Sequence, residues 1–152
     1  MSVRMATTLA AGLLIASFGA QSAAGDKDDA VKMDMKLLQG TWLLQSFEIN
    51  GKPVPEDKIK NITLTIKGNR YLVDLGEKKL ELTFTIHPTK KPKAIDLSMA
   101  QGDEKAVTHG IYEVSADTFK LCRATEAGAE RPTAFATKEG SGTALAVYKR
   151  KK

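Results

Sequence analysis

Cysteine is almost absent from this chain: of its 152 residues, only Cys122 carries a thiol. A lone Cys cannot close an intrachain disulfide, so the fold must hold by packing and ladder hydrogen bonds. Following Leu121 in an apolar segment, Cys122 is expected to be a small buried residue and not a nucleophile. Histidine is equally scarce, with His87 and His109 alone. A shared metal site would need further ligands, such as Asp96, Asp103 or Glu113, which the sequence does not place nearby, so no metal and no cofactor are expected. Gly-rich phosphate loops, Cys pairs and Gly-x-Ser-x-Gly are missing, and Gly140-Ser141-Gly142 reads as a turn. Cys122, His109 and Asp96 supply the residue types of a nucleophilic triad, but most proteins contain such types, so no catalytic residue is expected. Internal repeats and a second domain are also missing.

Charge of one sign is in mild excess, with a net +5 from 23 basic and 18 acidic residues. The basic residues are scattered among acidic ones along turns and strand ends, and only Lys149 to Lys152 form a dense run. This is the pattern of a solvated surface and argues against a nucleic-acid partner. The one apolar run, Met5 to Phe18, is too short to span a membrane comfortably. It follows Arg4 and precedes Ser22-Ala23-Ala24, which reads as a signal peptide over residues 1–24 with cleavage near Ala24. The mature protein is then expected to be exported, periplasmic or extracellular, and not membrane-spanning.

Residues 25–37 read as a polar lead-in, flexible over Gly25 to Ala30, followed by a short amphipathic turn with Val31, Met35 and Leu38 on one face. From residue 38 to residue 150 the chain alternates. Strand one runs from Gly40 to Ile49, and its mixed faces predict a bulge or cover on both sides. Asn50-Gly51 marks a turn, and Lys52 to Lys60, with two prolines, reads as a loop with one helical turn at Glu56 to Ile59. Ile62, Leu64 and Ile66 then alternate with polar residues, as do Tyr71, Val73 and Leu75, and Leu80, Leu82, Phe84 and Ile86. Later strands follow at Ile95 to Met99, Thr108 to Val114, Thr118 to Arg123, Pro132 to Thr137 and Thr143 to Arg150. About eight to nine short strands joined by turns predict an all-β protein, an antiparallel up-and-down meander closed into a barrel.

Gly40-Thr41-Trp42 after a short helix resembles the first-strand signature of lipocalins. The resemblance implies that Trp42 seals the closed end and that a basic residue near the chain end, here Arg150, packs across its ring. Across the barrel domain, Leu38-Gln39-Gly40-Thr41-Trp42, Pro92 to Leu97, Gly110-Ile111-Tyr112-Glu113, Asp117 to Cys122 and Arg131 to Phe135 resemble an uncharacterised lipocalin-like family abundant in exported proteins of planctomycete bacteria. That family implies the fold but no activity.

The function expected from this pattern is binding of a small, largely apolar ligand inside the barrel, through Tyr71, Phe84, Phe119 and Arg123, with Gly40, Trp42 and Arg150 as structural keystones. The alternative is a filled core, with Phe84, Tyr71, Phe119 and Phe135 occupying the interior and an outer surface that binds other proteins. A hydrolase-like enzyme comes third. Arg123, Arg131 and Arg150 read either as end-of-barrel partners of Asp96, Glu113 or Asp117, or as a charged floor for a ligand carboxylate.

Overall fold

A computed structural model describes residues 23–152. The expected signal peptide, apart from its last two residues, lies outside them. The described chain forms a helix α1 (Ala23–Leu38), strands β1 (Gly40–Ile49) and β2 (Lys52–Pro53), a short helix α2 (Glu56–Ile59), and strands β3 (Thr63–Lys67), β4 (Arg70–Asp74), β5 (Lys79–His87), β6 (Ala94–Gln101), β7 (Glu104–Val114), β8 (Thr118–Ala124) and β9 (Thr143–Arg150). From β3 to β9 each strand pairs antiparallel with the next, and β1 pairs with both β3 and β9. The eight strands β1 and β3–β9 therefore close into an up-and-down barrel. The ninth, β2, lies on the far half of β1: β3 covers Gly40 to Leu43, leaving Glu48 and Ile49 to pair with Pro53 and Lys52. Asn50 and Gly51 both have positive φ, 51° and 81°, as a tight β1–β2 turn of that type requires.

The mixed faces of β1 come from a bulge between Leu44 and Ser46. Before it, Trp42 and Leu44 point inward; after it, Phe47 does so opposite Ala146. One extra residue flips the alternation, and both halves of the strand still feed the interior.

The closed end is built around Trp42, which is fully buried. Its indole Nε1–H donates to the Leu38 carbonyl at 2.9 Å. Arg150, its direct partner on β9, places its guanidinium 4.1 Å from the ring centroid. That guanidinium donates to the carbonyls of Leu37, Gln39 (2.7 Å) and Ala116 (2.6 Å). The last carbonyls of a helix have no partner within it and attract positive charge. Trp42 and Arg150 thus finish α1 as well as the barrel. Gly40 makes room for this: its φ is +120°, and a Cβ there would lie 2.8 Å from Arg150 Nη1.

α1 corrects the expected lead-in. Residues 25–30 are helical, because the helix begins at Ala23 and not at Val31. Its anchor is Asp34, a buried carboxylate that accepts from Tyr112 Oη (2.7 Å) and Lys93 Nζ (2.8 Å). A second correction concerns residues 132–137, which form no strand. β8 and β9 are already paired with each other along their length, so the closed barrel offers this segment no free edge. It lies over the outer face instead, with Phe135 5.7 Å from Lys120 Nζ and the Ala136 carbonyl 3.8 Å from Cys122 Sγ. Phe135 is therefore not an interior residue. Among the described residues, no helix is long and apolar enough to cross a membrane.

Candidate functional site: the open half of the barrel

The inward rows divide the interior into two halves. In the closed half, Phe119 lies 5.8 Å from Trp42 and stacks on Tyr148 at 5.6 Å, and Phe84 meets Tyr71 edge-on at 6.3 Å. With Leu38, Leu64 and Tyr112 these rings form one buried cluster, and Tyr71 and Tyr148 border the cavity beyond it. Aromatic pairs at such separations add to the burial of their faces.

The other half is empty. A cavity of about 420 Å3 opens there, far above the roughly 10–15 Å3 that holds one water and within the range of about 300–1,000 Å3 typical of ligand sites. Leu44, Leu97, Leu121 and Ala146 form its buried wall, and Leu75, 41% exposed, stands at its mouth. The cavity exists because β9 presents Ala144 and Ala146, and β7 presents Ala106, at inward positions where larger side chains would meet. Among the described residues, no His, Cys, Ser, Asp or Glu lines it.

Its polar groups are few. Arg123 is the one charged residue of the lining, beside Thr108, Thr125, Tyr71 and Tyr148. Arg123 projects inward from β8 opposite Gly110, where a Cβ would come within 3.1 Å of the Arg123 Cβ. Tyr71 and Tyr148 meet across the barrel with hydroxyls 3.4 Å apart. Burial raises Tyr71 well above the usual phenol range, Tyr148 adds to that rise, and the positive charge of Arg123 opposes it. Burial also raises Tyr148, against the opposing effects of its bond to Tyr71 and of Arg123.

A second polar cluster lies outside the barrel wall. Asp96 on β6 receives His109 Nδ1 (2.7 Å), His87 Nε2 (3.0 Å) and Arg131 Nη2 (2.7 Å). A carboxylate only accepts, so the ring nitrogens facing it carry protons. Arg131 Nη1 also donates to the carbonyls of Ile95 and Gly110. Partial burial would raise Asp96, but the hydrogen bonds from His109, Arg131 and His87 hold it down at about 2. His87, expected at an exposed strand end, is instead half-buried against Asp96. Chemically the cluster is a clamp: it ties the segment carrying Arg131 to β5, β6 and β7. Among the described residues, no group of three His, Cys, Asp or Glu is placed to hold a metal.

Of the four interior residues expected to meet a ligand, Tyr71 and Arg123 line the cavity, while Phe84 and Phe119 belong to the filled half. Of the arginines, Arg131 pairs with Asp96 and Arg150 with backbone carbonyls. Cys122 faces outward from β8 and is fully buried, with the Ala136 carbonyl against its thiol. Burial raises its thiol, partly offset by the Ala136 carbonyl contact. Tyr148 and Asp34 were missed in the sequence; the alternation Ala144, Ala146, Tyr148 carried the signal for the former. Comparison with known protein families, characterised proteins and solved structures finds no significant match to this chain.

Proposed function

We propose that this protein is an exported, lipocalin-like binding module that holds a small, largely apolar ligand in the open half of its barrel and carries out no catalysis. The observation that carries this reading is the cavity of about 420 Å3, walled mostly by aliphatic side chains, with hydroxyls and one guanidinium as its polar groups. Export rests on Arg4, the apolar run to Phe18 and Ser22-Ala23-Ala24. What favours the filled-core alternative is the ring packing around Trp42, Phe119 and Tyr148.

The test is titration with Nile red, a neutral dye that brightens in apolar surroundings. Saturable one-site brightening is expected with the wild type. Ala146→Phe, which grows a ring into the cavity, should abolish it while the circular dichroism stays that of the wild type. Absence of saturable binding by wild-type protein, or unchanged binding by a folded Ala146→Phe variant, overturns the proposal.

A further inference from the structure

We infer that the ligand is a single-chain amphiphile with a carboxylate head, its tail along the aliphatic wall and its head on Arg123 beside the Tyr71–Tyr148 hydroxyl pair. This rests on the cavity being a binding site and adds the chemistry of what it selects.

The first ground is charge. Arg123 is the one charged residue of the lining, and no acidic side chain accompanies it there. Among the described residues, no carboxylate lies within 4.0 Å of it; the ion pairs use Arg70, Lys79, Lys93, Arg131 and the two histidines instead. Arg123 is half-buried and shares its charge with no protein carboxylate, so an anion brought by a ligand meets an unpaired guanidinium.

The second ground is donor count. A guanidinium carries five N–H donors in a planar fork suited to a carboxylate. Arg123 engages one protein acceptor, the Ala124 carbonyl, 3.1 Å from Nη1. In the Tyr71–Tyr148 pair one hydroxyl donates to the other at 3.4 Å. The accepting hydroxyl keeps its own proton for a third group. The cavity thus offers several donors and one positive charge against aliphatic walls.

The third ground is contrast with the other arginines. Arg131 and Arg150 each donate to at least three protein acceptors. Their hydrogen bonds account for their positions structurally. Arg123 has no such set, and Gly110 opposite keeps the space at its base clear.

The test is displacement of Nile red by dodecanoate, 1-dodecanol and dodecyltrimethylammonium, each below its micelle concentration. Wild-type protein should bind dodecanoate about tenfold or more tighter than dodecanol, as charge-assisted hydrogen bonds allow, and the ammonium most weakly. Arg123→Met should erase the preference for dodecanoate over dodecanol while its circular dichroism stays that of the wild type. Arg123→Lys, which keeps the charge and loses the fork, should retain part of the preference. Equal binding of dodecanoate and dodecanol by wild type, preference for the ammonium, or a preference that survives in Arg123→Met would overturn the inference and leave the binding module standing. Failure of wild-type protein to bind dye or any amphiphile overturns both.

Discussion

At the scale of single residues, Trp42 and Arg150 do two jobs each. Trp42 fills the barrel floor and caps Leu38; Arg150 covers the indole and caps Leu37 and Gln39. Removing a buried aromatic of this size costs about 3–5 kcal/mol, a large share of the 5–15 kcal/mol or so that stabilises a domain. Trp42→Ala should therefore unfold or nearly unfold in denaturant titration. Arg150→Ala loses a cation–π contact of about 0.5–2 kcal/mol together with helix capping, and should remain folded with shifted Trp emission. Gly40→Ala should also destabilise, since its Cβ would sit 2.8 Å from Arg150 Nη1 at a φ of +120°. Cys122 should react slowly with a thiol reagent in the native protein and rapidly once unfolded, because it is fully buried and burial raises its pKa.

At the scale of elements, the segment between β8 and β9 is held by side chains and not by a ladder. Asp96 gathers His87, His109 and Arg131, and Thr137 bonds Glu48 and the Gly51 amide. Asp96→Asn should increase hydrogen exchange of residues 125–137 by about tenfold or more while the exchange of β8 and β9 changes little. The acid dependence follows from the same bonds. The folded pKa of Asp96, about 2, lies below its ordinary 3.8. Its contribution is thus fully present above the ordinary value and is lost as pH falls through the folded one. Wild-type stability should drop between about pH 4 and 2 more steeply than that of Asp96→Asn, measured by urea titration across that window.

At the scale of the whole molecule, the barrel sets filling against emptiness. The closed half takes large aromatics; the open half takes Ala106, Ala144 and Ala146 at inward positions. A ligand that binds only the folded state raises stability by mass action, by about 2.7 kcal/mol at a hundred times its Kd. Thermal unfolding with increasing dodecanoate should therefore show a rising midpoint in wild type. The same titration should give no rise in Ala146→Phe, whose own midpoint without ligand should be at or above that of the wild type if the ring fills the cavity without strain.

The eight barrel strands, most turns and the closure order were legible in the linear chain, whereas the short β2 read as loop and residues 132–137 read as a strand. Period-two alternation over residues such as Leu80, Leu82, Phe84 and Ile86 is a local property, and each tight turn forces the next strand antiparallel to the last. Even the bulge in β1 showed itself as a conflict between faces. The start of α1 was hidden, because its first residues are polar and its stabilising bonds, from Asp34 to Tyr112 and Lys93, reach 59 to 78 positions away. The clamp on Asp96 was hidden for the same reason: four residues from three strands and a loop converge only once the barrel closes. Inward direction was readable for Tyr71, Phe84, Phe119 and Arg123 alike, but which of them meets empty space was not. That depends on what stands across the barrel. Phe119 faces Trp42 and Tyr148, whereas Arg123 has Gly110 on one side and Ala144 on the other, and a cavity is what remains where small residues from distant strands come together.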